Sequence, residues 1–181
     1  MYDDLEILMA VKDGDAPAYR LIVEKYHVQV YSLMFGMLRN REDARDITQN
    51  SFVEAYTNLD SFSLESKFHL WLYGIAMKLA VEFLGKRKKK RSSDAEEVGL
   101  QMADRDNDVS LGAQERRRLH RKVLDALDKL PIDQKKVILL RELEGLSYRE
   151  ISDVLGIPRR KVKRCLFSAR MKLRKMVHEY Q

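Results

Sequence analysis

Apolar residues recur along most of this chain at helical spacing. Ile22, Tyr26, Val30, Leu33 and Met37 lie three or four residues apart, on one face of a helix that reaches about residue 38. Phe52, Ala55, Tyr56 and Leu59 repeat the pattern and are expected in the core. Phe68, Leu72, Ile75, Leu79 and Phe83 draw a longer stripe on a helix starting near Lys67. Further on, Val137, Ile138, Leu140 and Leu143 make one apolar face, and Ile151, Val154 and Leu155 make a second. Val162, Leu166, Ala169 and Leu173 make a third.

Punctuation between these stripes agrees with helices. Residues 3–12 read as a short helix broken at Gly14; Asp15 can cap the next one, with Pro17 in its first turn. Asn40 can cap a third. Residues 60–66, DSFSLES, form a polar loop. Helices resume near Ala113 and run to Leu130; Pro131 opens another and Gly145 closes it. Ser147 and Glu150 have the spacing of a capping box. Gly156 ends that helix, and Pro158 suits the first turn of the next. Two short amphipathic helices joined by a tight glycine turn describe a helix-turn-helix. The predicted class is therefore all-α: two small helical domains joined by a flexible linker, the second containing the helix-turn-helix.

Charge divides the chain in the same places. Residues 1–85 hold 8 basic against 13 acidic residues, and residues 114–181 hold 19 against 9. An acidic first half and a strongly basic last third imply two modules with different partners. Between them runs SSDAEEVGLQMADRDNDVSLG, without periodicity and poor in large apolar residues, which reads as a linker. The expected boundaries are 1–91, 92–112 for the linker, and 113–181. The single cysteine, Cys165, excludes an internal disulfide and suits a reducing cytoplasm. No apolar run approaches the roughly 18 residues of a membrane span, and no signal peptide opens the chain.

Several stretches carry candidate chemistry. Arg159, Arg160, Lys161, Lys163, Arg164, Arg170, Lys172, Arg174 and Lys175 crowd the last helix, with no acid between Asp153 and Glu179. Such one-sided charge suits a phosphate backbone. Glu42, Asp46 and Gln49 form a polar stripe, which by spacing alone is also an ordinary solvated face with acids near a helix N-terminus. Phe62, Trp71 and Tyr73 gather where the long helix begins; aromatics there pack a core or stack on unpaired bases. Lys86 to Arg91 is an unbroken basic run. Catalytic and metal constellations are absent: His27, His69, His120 and His178 are scattered, no glycine-rich phosphate loop appears, and no nucleophile has a nearby base. No enzyme activity, cofactor or metal is expected.

In this order and spacing the pieces resemble a bacterial RNA polymerase sigma factor of the two-domain, extracytoplasmic-function type. Asp43 to Gln49 (DARDITQ) with Phe52 resembles the polymerase-binding helix. Phe62, Phe68 and Trp71 to Ala76 (WLYGIA) resemble the helix that opens the promoter. Leu127 to Pro131 (LDKLP), Leu140-Arg141-Glu142 and the helix-turn-helix resemble the reader of the upstream element. The resemblance implies that Glu42, Asp43, Asp46 and Gln49 dock on the clamp helices of the largest polymerase subunit. Phe62, Ser63, Phe68, Trp71 and Lys78 would open the promoter and hold the unpaired strand, with a base flipped near Phe62. Ser147, Arg159, Arg160, Lys161, Lys163, Arg164, Cys165 and Ser168 would contact upstream DNA. Implied partners are the polymerase core, promoter DNA and an anti-sigma factor, in the cytoplasm, with stress or envelope response as the setting. The competing reading is an autonomous helix-turn-helix regulator, which explains residues 114–181 but not the ordered motifs of 43–76.

Departures from the family pattern are concentrated on its working surfaces. Arg45 stands where the family often has Glu, Lys78 where it has Asn, Glu82 where it has Asp and Gly85 where it has Arg. On the recognition helix, two usual arginines are Cys165 and Ser168, while Arg160, Lys161 and Arg164 are added. Val162, Leu166, Ala169 and Leu173 should face the core. Arg160, Lys161, Arg164, Cys165 and Ser168 are then expected to face outward.

Overall fold

The computed structural model describes residues 3–93 and 121–178, and every regular element among the described residues is helical. Helix α1 spans Asp4–Lys12, α2 Tyr19–Leu38, α3 Arg41–Thr57 and α4 Phe68–Ser93. Residues 121–128 are helical and form α5. Then come α6, Ile132–Glu142, α7, Tyr148–Leu155, and α8, Arg159–His178. Helix α4 passes the expected boundary at 91 and takes in the basic run. Residues 94–112 of the expected linker, and 113–120 of the helix after it, lie outside the described residues.

The caps act where the sequence places them. Asn40 accepts the amides of Glu42 and Asp43 at 2.9 and 3.0 Å, satisfying two of the four donors left open at the start of α3. Asp15 accepts the Ala18 amide at 3.3 Å, but it caps a 3-10 turn, Ala16–Ala18, which delivers the chain into α2. Glu150 Oε2 accepts the Ser147 amide at 2.9 Å and Ser147 Oγ accepts the Glu150 amide at 3.2 Å, completing the capping box of α7. Gly156 then turns the chain at φ 61°, a left-handed geometry that glycine adopts without a Cβ clash.

Helices α2, α3 and α4 pack side by side, with α1 laid across the start of α2. Their core includes Leu8, Ile22, Val30, Leu33, Met34, Leu72 and Met77. On α4 the buried face is turned slightly from the expected stripe. Leu72, Tyr73, Ala76, Met77 and Ala80 are buried, while Ile75, Leu79 and Phe83 are only partly covered. Ala76 and Ala80 carry side chains small enough for close helix approach. Two expected core residues lie outside it: Tyr56 is 43 % exposed and Leu143 52 %. Tyr56 sits at the edge of α3 and meets Tyr19 edge-on, ring centres 5.0 Å apart. Leu143 lies past the last residue of α6.

Helices α6, α7 and α8 surround Val137, Leu140, Ile151, Val162 and Leu166. This second cluster is continuous with the first. The two modules share a packed face. A Cβ at Gly36 on α2 would lie 2.8 Å from Leu139 Cδ2 on α6, so glycine lets the two helices meet. Helix α7 packs against α4 in the same way, at Gly74 and Val154.

Candidate nucleic-acid interface

Three surfaces carry the residues singled out in the sequence. On α3, Glu42, Asp46 and Gln49 are exposed and Asp43 is half-buried. Ala44, Ile47, Thr48 and Ser51 point inward. Thr48 and Ser51 donate their hydroxyls to the Ala44 and Ile47 carbonyls at 2.7 and 2.6 Å, which lets polar side chains sit in a buried face. Asp43 is set apart from the others by Arg87 of the α4 basic run, whose Nη1 lies 3.2 Å away.

The second surface is formed by the 60–66 loop and the start of α4. Phe62 and Phe68 are buried, with ring centres 5.4 Å apart in an edge-on arrangement, and Trp71 leans on both at 5.2 and 5.7 Å. Phe62 and Phe68 are thus the floor of this surface rather than free stacking platforms. Trp71, half-buried, is the aromatic that reaches the open side. It lines a cleft of about 930 Å³ with Ser63, Lys67, Lys78, Arg149 and Asp153. Lys78 is exposed and 3.6 Å from Glu54 of α3. Lys67 and Arg149 were not singled out in the sequence. Lys67 precedes the aromatic stripe, and only the fold brings Arg149 of α7 to the same cleft.

The third surface is α8. Arg159, Arg160, Lys163 and Arg164 are exposed and pair with no acid among the described residues. Lys161 is held by Asp133 of α6 at 2.9 Å. The Lys161 and Lys136 ammonium groups keep the Asp133 carboxyl below its ordinary range. Ser168 accepts a hydrogen bond from Gln134 at 3.0 Å, and Arg170 is tied to Glu142 at 2.8 Å. Cys165 is buried, 8 % exposed, against the expectation that it faces outward. The apolar stripe of a packed helix spans more than 100°, and a thiol beside Val162 and Leu166 behaves as a small hydrophobe. Lys161, Cys165 and Ser168 therefore form the edge of α8 against α6. The outward face is Arg160, Lys163, Arg164 and Phe167, the last 70 % exposed. Phe167 was missed because it falls off every apolar repeat. Ser147 is exposed, but its hydroxyl is engaged by Glu150 at 2.8 Å.

Among the described residues no group of His, Cys, Asp and Glu is arranged to hold a metal ion. No described helix is long and apolar enough to cross a membrane.

The three surfaces fall within two recognised sequence families. Residues 22–90 match Sigma-70 region 2 and residues 120–173 match Sigma-70, region 4. The chain is 36 % identical over 173 residues to the ECF RNA polymerase sigma-E factor of Haemophilus influenzae, covering 92 % of this chain and 91 % of the relative. It is 35 % identical over 179 residues to the ECF RNA polymerase sigma factor SigW of Bacillus subtilis, covering 93 % and 94 %. In fold it is similar to CnrH, solved in complex with the cytosolic domain of CnrY, at TM-score 0.73 and 23 % identity over 98 % of this chain and 99 % of that one. It is also similar to the sigma factor RpoE of Bartonella quintana, solved with the anti-sigma factor NepR, at TM-score 0.74 and 20 % identity over 88 % and 96 %. With both sigma-70 regions in order and relatives matched nearly end to end, the chain belongs to the ECF family of RNA polymerase sigma factors.

Proposed function

We propose that each surface serves one step of promoter use. The exposed face of α3, with Glu42, Asp46 and Gln49, docks on the clamp helices of the polymerase core. Asp43 contributes through its link to Arg87. The loop 60–66 and the start of α4 hold the unpaired strand, with Trp71 as the stacking face, Phe62 and Phe68 supporting it, and Ser63 and Lys78 at the rim. Melting is favoured because unpaired bases gain an aromatic face to stack on. Helix α8 enters the major groove of the upstream element. There Arg160 and Arg164 can pair with guanine edges, and Phe167 can meet a thymine methyl. Arg159 and Lys163 contact phosphate. The chain acts by binding and carries out no reaction of its own, in the cytoplasm, with an anti-sigma factor as its controlling partner in a stress or envelope response.

The observation that carries this reading is the orientation of α8. Burial of Val162, Leu166 and Ala169 turns its basic edge outward. Runoff transcription with polymerase core on a genomic library of promoter fragments tests it. A defined set of start sites that appears only with this chain is expected. Transcription identical to that of core alone would sink the proposal.

A further inference from the structure

A second cleft, of about 550 Å³, lies between the ends of α2 and α4 and the turn from α5 into α6. Arg39, Arg87, Lys88 and Lys135 line it, and Asp128 is the one carboxylate among its described lining residues. It shares no residue with the cleft at Trp71.

The charges here do not balance. The Arg39 and Lys135 side chains are 5 % and 8 % exposed, and both meet the same Asp128 carboxylate. Arg87 is met by Asp43, which is not in the cleft. Lys88 is exposed at the mouth and pairs with no acid among the described residues. Four cations against two carboxylates, Asp128 and Asp43, leave two positive charges over. The Arg39 guanidinium is also underused. Its Nε meets Asp128, while its Nη1 is buried and has no hydrogen-bond partner. A buried donor left unmade costs free energy that an added acceptor would recover.

The remaining walls are apolar. Met37 and Leu38 come from α2, Leu84 from α4, and Leu130 and Ile132 from the turn into α6. No aromatic ring and no neutral hydrogen-bonding side chain lines the cleft among the described residues. A nucleobase would bury donors and acceptors there without partners. An alkyl chain has none to lose and gains by burial.

We infer that this cleft binds a small soluble amphiphile, a phosphate monoester carried on an aliphatic chain. The phosphate brings close to two negative charges at neutral pH, matching the surplus. Arg39 and Lys135 hold the head, Lys88 guards the mouth, and the chain lies along Leu84 and Ile132. One wall comes from α2 and α4 and the other from residues 128–135. Occupancy therefore stabilises the arrangement in which the two modules share a face.

The test is calorimetric titration of the full chain with octyl phosphate below its micelle concentration. Inorganic phosphate and adenosine monophosphate are the comparisons. Octyl phosphate should bind at least about tenfold tighter than either, the effect of burying two methylenes. It should also raise the melting temperature of the native chain. Two variants probe the site. Ile132→Glu puts a carboxylate at the mouth, at a position 39 % exposed where a helix start tolerates an acid. Arg39→Gly removes the buried partner of the head. Each should weaken octyl phosphate about tenfold, the loss of one charge-assisted contact. Leu5→Glu and Arg20→Ala, away from the cleft, should change nothing. No binding of octyl phosphate, or affinity equal in the cleft variants and the controls, would overturn the site. Inorganic phosphate or adenosine monophosphate binding as tightly would overturn the aliphatic ligand. Vesicles of phosphatidic acid in phosphatidylcholine form the last arm. If they lose binding only in Ile132→Glu, while free octyl phosphate does not bind, the ligand is a membrane headgroup and the soluble one is overturned.

Discussion

Arg39 Nε lies 3.2 Å from Asp128 Oδ2, an ion pair that ties the end of α2 to the end of α5 across 89 positions of sequence. Arg39 takes the left-handed backbone at φ 59°, uncommon for a residue with a Cβ, and its side chain is 5 % exposed. Lys135, nearly as buried, shares Asp128 at 2.7 Å. One carboxylate therefore answers two buried cations. Asp128→Ala should destabilise the chain by about 3 kcal/mol, because it strands both. Arg39→Gly should cost much less, because Asp128 keeps Lys135 and the left-handed strain disappears. Urea denaturation of the two variants checks the order; equal losses would show that the pair is not shared in this way.

Docking is expected to depend on side chains that do not hold the fold. Asp46→Arg with Gln49→Ala should weaken binding to polymerase core by at least about tenfold, or 1.4 kcal/mol. The melting temperature should stay within a degree or two, since both residues are exposed. Unchanged affinity in a folded variant would remove α3 from the docking assignment.

On α8 the division between base and phosphate contacts can be read from two substitutions. Arg164→Ala should lose roughly 1–3 kcal/mol on the best upstream sequence and relax preference at one position. Lys163→Ala should weaken all sequences alike and lower the salt slope by about one unit. Selection from a randomised upstream element at two salt concentrations distinguishes them. If Arg164→Ala weakens every sequence equally, it contacts phosphate.

Acid should lower the stability of the chain in two windows. Lys67, followed by the Ser147 amide and hydroxyl, holds the Glu150 carboxyl at about 2, against an ordinary 4.5. A carboxylate depressed in the folded state contributes stability above the unfolded value and loses it as pH falls through the folded one. The Glu150 contribution is therefore lost between about 4.5 and 2. Burial first, then Lys67, keeps His69 below its ordinary 6.5, while Glu150 and Asp4 oppose this and Lys25 reinforces it. Stability held by neutral His69 falls away as pH drops below 6.5. Glu144, raised by burial against the pull of Tyr73, acts in the opposite sense. Chemical denaturation at a series of pH values should show the lower window vanish in Glu150→Gln and the upper one persist. A lower window of the same size in that variant would assign it to other carboxylates.

Local signals were legible in the sequence because they depend on near neighbours. The Asn40 cap, the Ser147–Glu150 box and the Gly156 turn each involve residues within a few positions, and all three are present. The stripe on α8 also placed Val162, Leu166 and Ala169 in the core. What failed needed knowledge of the packing partner. Cys165 and Ser168 lie on the flank of that stripe, and only the position of α6, with Gln134 and Asp133, decides that this flank is covered. Phe68 lies on the expected apolar stripe, and the aromatics Phe62, Trp71 and Tyr73 pack a core or stack on bases by sequence alone; Trp71 leaning on Phe62 and Phe68 makes those two the floor. The contact between modules had no local signature. It depends on Gly36 meeting Leu139 and Gly74 meeting Val154, pairs that no periodicity links.

Anchoring one edge of α8 to α6 has an evolutionary corollary. Lys161 and Ser168 hold the helix at a fixed roll, so it cannot swivel to present other side chains to DNA. On the proposed reading of α8, new promoter vocabularies on this scaffold would be written mainly at Arg160, Arg164 and Phe167, which support no packing in return. Lineages can thus rewrite which genes they command by exchanging a few solvent-facing side chains, while the helix bearing them stays under separate selection for folding.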